Sequence, residues 1–333
     1  MAARTARQMA ASRGLRRLNP LRDLGQVASV IEEGFGPDLT EPGRRALREM
    51  QLLSRLGPLL WWLASMSPDF REFHSGFVWV EEGRIVGTLH ITRPGPYTRR
   101  WFISNVAVRV SYRGRGIGRA LTEAALAWAR KQGGETVFLR VRRENAVAWS
   151  LYDSLGFQPV YDSVDLWLAR VPPLDKVTAD EMSLSPYHPR QWRQVRELAR
   201  AGILARFRWL EPLHVADFRP GLDRRLADWW DGLTSGRKIQ RLVAQHGRRI
   251  AAAMAVTIAG RRGNHSLTLH IHPDYREKVE EMLVTEALCR LWPHRGRATL
   301  VTLPVSYPDI VAVLKRYGFV TRRTLTLMRR SLR

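Results

Sequence analysis

NVAVRVSYRGRGIGRAL, residues 105–121, runs from an alternating apolar stretch into a helical pattern through three glycines and three arginines between Arg113 and Arg119. Backbone N–H groups at a helix start have no partner inside the helix and carry the positive end of its dipole, which suits a diphosphate. A side chain at Gly114, Gly116 or Gly118 would hold those donors away from phosphate oxygens, and Arg113 and Arg115 add charge at the mouth. Two other readings stay open: a tight strand-to-helix turn whose glycines permit close packing, and a dinucleotide fingerprint. Against the fingerprint, the glycines alternate singly, so the G-x-G-x-x-G spacing fails, and no acidic residue ends the next strand.

The pattern around the loop gives the fold class. Upstream, SRGLRRLNP reads as a first strand, and residues 18–35 carry Leu24, Val27, Val30 and Ile31 at helical spacing. A second helical stretch covers 41–56. GFVWVEEGRIVGTLHITRP is predicted as a hairpin split at Glu-Glu-Gly, and RWFISNVAVRV (100–110) as a buried strand. The helix opened by the glycine loop runs to about 132; a strand (136–143), a helix ending at Gly156 and a last strand PVYDSVDLWLA follow. The order returns at an offset of about 163 residues, from LSPYHPRQWRQVRELARA to the terminal YGFVTRRTLTLMRR. The expectation is an α+β chain of two tandem copies, each a mixed twisted sheet flanked by helices, with domains 1–172 and 173–333 and the seam in VPPLDKVTADEMS, 171–183.

Arg113-x-x-Gly116-x-Gly118 after VAV and opening a helix resembles the acyl-coenzyme A signature of the GNAT superfamily of N-acetyltransferases. Asn145 followed by Tyr152-Asp-Ser-Leu-Gly156-Phe157 resembles its second landmark. The likeness covers residues 12–170 and, as a degraded copy, 180–333. It implies two acyl-CoA N-acyltransferase folds, an acetyl-CoA cofactor held in the first, and direct transfer to a primary amine in a ternary complex. Residue by residue, it implies cofactor contacts from Arg113, Gly114, Arg115, Gly116, Ile117, Gly118 and Arg119, and backbone contacts from Val106, Ala107 and Val108 on a strand that splays from its neighbour. Tyr152 becomes the general acid for the departing thiolate, against a plain reading as an amphipathic tyrosine. Asn145 reads both as an N-cap and as a cofactor contact.

The base is not legible. Relatives carry a glutamate on the central strand where this chain has Phe102, and RRWFISNVAVRV has no carboxylate. Candidates are Glu33, Glu81, Glu82, His90 or waters ordered by Ser104 and Asn105; each also reads as a solvated, capping or plain strand residue. In the second copy Glu277, Val279 and Glu281 replace the three glycines, Leu314 replaces Tyr152 and Tyr307 replaces Asn145. The glutamates are expected to face the anion site and the valine to block it, so that this copy binds no coenzyme A, extends the sheet and walls the acceptor site of the first. The plan is like that of mycothiol synthase with the active copy reversed. Trp61-Trp62 and Trp229-Trp230 read as core, with an acceptor pocket near Trp61 as the sharper alternative.

Composition bounds the rest. One cysteine, Cys289, in 333 residues excludes an internal disulfide and a thiolate zinc site, and fits a reducing cytoplasm. LGPLLWWLASM (56–66) is too short to span a bilayer, so a soluble, cytoplasmic protein with no membrane partner is expected; the arginine-rich first eighteen residues read as the approach to the first strand more simply than as a targeting peptide. The net charge of +23 comes from 54 basic and 31 acidic residues, and only five of the basic ones are lysine. A GC-rich genome explains that bias. No basic run is interleaved with aromatics, so nucleic acid is not the expected partner and a small-molecule or peptide amine is. The alternative class is a non-catalytic acyl-CoA sensor or an RNA- or ribosome-associated module on the same fold. Oligomeric state leaves no signature.

Overall fold

The computed structural model describes residues 14–36, 39, 41–55, 75–93, 98–173, 183–202, 236–247, 249–260, 263–304 and 307–333. The tryptophan pairs 61–62 and 229–230, with the acceptor pocket expected near Trp61, the first thirteen residues and most of the seam lie outside them. The chain divides into two units, residues 1–160 with 326–333, and residues 161–325.

The first unit opens with β1 (Gly14–Arg17) and α1 (Pro20–Phe35). Asn19 caps α1 by accepting from the Leu21 amide at 3.0 Å, and Pro20 pre-sets the first turn. Buried Asp23 takes both guanidinium nitrogens of Arg16 at 2.6 and 2.8 Å and the Asn19 amide at 2.7 Å, which fixes the helix against the strand. After α2 (Glu41–Arg55) come β2 (Gly76–Glu81) and β3 (Arg84–Thr92), joined through Glu82 and Gly83 at φ 51° and 76°. Two consecutive left-handed residues make the tight turn whose twist matches a hairpin. β4 (Arg100–Val108), a 3₁₀ turn at Val110–Tyr112, α3 (Ile117–Lys131), β5 (Thr136–Arg142) and α4 (Ala146–Ser154) complete the series. β1 to β4 are antiparallel neighbours in chain order, and β4 and β5 are parallel. β3 is buried from Ile85 to Ile91 because both faces are covered. α1 and α2 pack Leu24, Val27, Ile31 and Met50 on Val78, Val80 and Ile85; α3 packs Ile117, Leu121 and Ala125 on Val86, Leu89 and Ile103.

The second unit repeats the order with β7 (Ser183–Pro186), α5 (Trp192–Gly202), β8 (Lys238–His246), β9 (Arg249–Ile258), β10 (His265–Ile271), a 3₁₀ turn at Pro273–Tyr275, α6 (Glu280–Leu291), β11 (Thr299–Pro304) and α7 (Pro308–Arg316).

The two last strands depart from the expected boundaries at 172 and 173. β6 (Gln158–Leu168) passes into the second unit at Tyr161 and pairs antiparallel with β11, and β12 (Val320–Ser331) returns to the first unit at Thr326 as the neighbour of β5. Each copy's final strand therefore follows the fifth strand of the other copy. Both strands follow a Gly-Phe turn and alternate alike, so the sequence pattern suits either partner.

Candidate active site

The glycine loop sits between β4 and α3 and is exposed from Arg113 to Gly116, with Ile117 buried and Gly118 half-buried. Gly114 and Gly116 both have φ 77°, a left-handed conformation that costs an L side chain about 1–2 kcal/mol. A Cβ at either would meet nothing within 4 Å, and one at Gly118 would make only ordinary contact with Leu151 at 3.5 Å. The glycines at 114 and 116 are thus favoured by backbone conformation, a reason additional to the expected one, and the space that a side chain would fill beside them is open to a ligand. Gly116 caps α3 without a side-chain bond, and the first helical bond runs from Ala120 N–H to Gly116 O at 3.0 Å. Among the described residues, no backbone acceptor takes the amides of 114–119. This run of free donors at a helix start fits a diphosphate.

The arginines hold the loop's shape. Arg113 Nε donates to Val108 O at 3.2 Å, Arg115 donates to Ser111 O at 3.0 Å and lies 4.9 Å over the Tyr112 ring, and Arg119 donates to Ser154 Oγ at 2.6 Å. Ile117 contributes its amide alone; its side chain is in the core.

β4 opens beside the loop. Its pairing with β5 runs from Arg100↔Thr136 to Ile103↔Leu139 and stops, while residues 104–108 stay with β3. The register with β3 shifts between Thr88 and His90, and Asn105 takes φ 51° at that bulge. Val106 and Val108 pack toward the core that holds Tyr152, and Ala107 faces α1, where a Cβ on Gly34 would come within 3.1 Å of it. The second copy's β10 pairs with β9 through six consecutive residues without such a shift.

Tyr152 lies on α4 in the same core, edge-on to Phe157 with ring centroids 5.8 Å apart. Burial alone pushes its phenol up to about 12, which keeps the group protonated and neutral across the physiological range. Asn145 caps α4, its Oδ1 accepting from the Ala148 amide at 3.0 Å.

The base candidates separate. Glu33 is excluded as a poised base: it accepts from the Val110 amide at 2.8 Å and from Arg109 at 2.6 Å, and these partners hold its carboxyl below the usual range, the amide foremost. Arg109 in turn donates to Ile85 O and Ser29, so Glu33 is an anchor that ties α1 to the start of the loop. Glu81 accepts from Trp79 Nε1 at 3.0 Å and Glu82 sits in the hairpin turn. His90 is buried on β3, paired with Ser104 beside the bulge. Phe102 packs on Phe138 at 5.3 Å.

Sequence reading missed Gly87 and the role of Glu33. A Cβ on Gly87 would fall 2.8 Å from Ile117 Cγ2 and 3.1 Å from Leu121, so this glycine seats the first turn of α3 on the sheet. Its signal was present, since a lone glycine inside a strand pattern marks a close approach.

The second copy shares the opening of the central strand, since β10 pairs with β11 only from His265 to Leu267, but differs at the loop and at the helix start. Glu277 keeps the left-handed conformation of Gly114, at φ 64°, but Val279 has φ −114° and is fully buried. Buried Glu280, in the place of Ile117, turns its carboxylate onto the Val279 amide at 3.1 Å. Glu281 is drawn to Arg316 at 2.5 Å and Tyr317 at 2.8 Å. The expectation that Glu281 faces the anion site and Val279 blocks it is thereby corrected: a third carboxylate caps the helix start. His272 stands where the first copy has Arg109, and it borders a cleft of about 320 Å³ together with Glu197, Arg249 and Tyr275.

Residues 43–157 match the acetyltransferase (GNAT) family profile. N-alpha-acetyltransferase RimI of Mycobacterium tuberculosis is 32% identical over 126 residues, 37% of this chain and 77% of that protein. The chain belongs to the GNAT acetyltransferase family. Mycothiol acetyltransferase of Saccharomonospora viridis is 33% identical over 161 residues, 45% of this chain and 47% of that protein. This GNAT chain spans less than half the length of several curated relatives that it matches. A tandem GNAT protein from the clavulanic acid biosynthesis pathway has the same fold, with a TM-score of 0.64 at 16% identity over 96% of this chain and 99% of that one. The two-copy architecture is therefore a GNAT arrangement. Among the described residues no helix is long and apolar enough to cross a membrane, and no group of three or more His, Cys, Asp or Glu is placed to hold a metal.

Proposed function

We propose that this GNAT protein is an acetyl-CoA-dependent N-acetyltransferase whose first copy moves an acetyl group to a primary amine by direct transfer in a ternary complex. The observation that carries it is the conjunction, in the first unit alone, of the free amides at 114–119, the opened β4 and the buried, protonated Tyr152.

The amides of Gly114 to Arg119 bind the diphosphate of the cofactor. Backbone groups of Val106, Ala107 and Val108 hold its arm and polarise the carbonyl, with Asn145 alongside as it caps α4. Acetyl-coenzyme A supplies the activated thioester. Tyr152 keeps its proton at Oη until the amine nitrogen bonds to the carbonyl carbon and the carbon–sulfur bond breaks, and then delivers it to the leaving sulfur. An amine that arrives neutral needs no strong base; for a charged one, His90 beside Ser104 is the candidate that strand register brings to the opening. The second copy, with Glu280 on its helix start and Leu314 in place of Tyr152, binds no coenzyme A.

Free-thiol release from acetyl-CoA against peptides with free N-termini, amino acids, polyamines and aminoglycosides tests the reading. Peptides come first because the relative from M. tuberculosis is an N-alpha-acetyltransferase. Turnover with one acceptor class and its loss in Tyr152→Phe are expected. Tight coenzyme A binding with no turnover on any amine would leave the fold as a sensor.

A further inference from the structure

β5 would be a bare sheet edge if the first unit ended with the first copy. Instead the last residues of the chain close it. β12 neighbours β5, and Met328 and Leu332 are buried in the cluster that holds Val137, Leu139 and Val141 of β5 together with Tyr152 and Phe157. Leu332 N–H donates to Glu135 O at 2.9 Å, and Leu332 O accepts from Arg130 Nε, at the end of α3, at 3.1 Å. Arg333 pairs with Glu135 at 2.8 Å. β5 is the strand from which β4 parts and α3 is the helix that the glycine loop opens, and both are fastened by a segment more than 170 residues beyond Tyr152 in the chain. The reciprocal strand is built with equal care. Residues Ser163–Leu168 pair with Thr299–Pro304, and buried Asp165 accepts from Thr302 Oγ1 and from Arg323 Nε, both at 2.6 Å.

We propose that residues 326–333 are a required structural part of the acetyl-transfer half, so that the first copy cannot form its site alone and the second copy serves as the carrier of the strand that closes it. This gives the degraded copy a function that needs no ligand of its own. It rests on the proposed assignment of acetyl transfer to the first unit, but the packing argument is independent of turnover.

The test is hydrogen exchange and coenzyme A titration on the full chain, on a chain ending at Leu325, and on full-length Met328→Ala. Removal of 326–333 is expected to speed exchange of the β5 and α4 amides by an order of magnitude or more while β8 and β9 stay protected, and to weaken coenzyme A binding at least tenfold. Met328→Ala, which keeps the strand's backbone bonds, is expected to give a smaller change at the same amides. Unchanged β5 protection in the shortened chain, or faster exchange spread evenly over both units in Met328→Ala, would overturn the proposal. Since exchange is read without substrate, an inactive enzyme that still loses β5 protection would count against the assigned function and not against this inference.

Discussion

Tyr152 combines an acid's chemistry with a core residue's surroundings, and the two make separable expectations. Tyr152→Phe keeps the apolar body, so coenzyme A affinity should hold while thiol release falls by about 10²-fold or more. Burial raises its pKa from 10.0 to about 12, so the folded state favours the neutral phenol. That contribution is fully present below pH 10 and is lost as pH rises through 12; denaturant titrations should show up to about 3 kcal/mol of lost stability over that span, absent in Tyr152→Phe. Glu33 has the opposite sign. Its carboxyl is held low by the Val110 amide and Arg109, so its contribution is present above the ordinary carboxylate range and disappears as pH falls through the lowered value. The pair is partly exposed, and solvent screening limits the cost of Glu33→Gln to about 1 kcal/mol. The same variant should loosen the loop and weaken coenzyme A binding without touching the pH profile that a catalytic base would set.

The strand–loop–helix element depends on glycine for two unlike reasons. Gly116 must supply a left-handed backbone, so Gly116→Ala should cost about 1–2 kcal/mol in thermal or denaturant unfolding, whereas Gly118→Ala should fold normally. Gly87 must supply room, and Gly87→Ala should displace the first turn of α3 and reduce coenzyme A affinity in a protein whose sheet remains intact. The bulge at Asn105 calls for a residue tolerant of positive φ: Asn105→Gly should be accepted, and Asn105→Val should lower both stability and turnover. Much of this element is legible in the sequence because spacing reports it. The alternation of β4, the helical period after Gly116, and the Asn145 cap all follow from local chemistry. The opening of β4 is not legible, because it depends on where pairing with β5 ends, a fact about two strands. The fate of Glu33 is hidden for the same reason: a carboxylate's partner 77 residues away leaves no periodic mark.

Across the whole chain, the two-copy plan is visible as a repeat, yet the placement of β6 and β12 is not. Both strands have the apolar alternation and length to follow either fifth strand, so composition cannot choose between them, and the expected boundary at 172 gives way to units that each borrow the other copy's last strand. Charge is likewise only partly a surface property. Arg16, Arg109 and Arg323 pair with Asp23, Glu33 and Asp165, so three of the 54 basic residues are committed to ion pairs within the fold, while the +23 excess, in which such pairs already cancel, is unchanged by them. The division of labour between the copies turns on free amides at one helix start and a capped one at the other. Calorimetric titration of coenzyme A into the intact chain and Gly116→Glu measures it directly. One site per chain is expected in the intact protein and none in Gly116→Glu; binding that survives the substitution, or two sites in the intact chain, would contradict it.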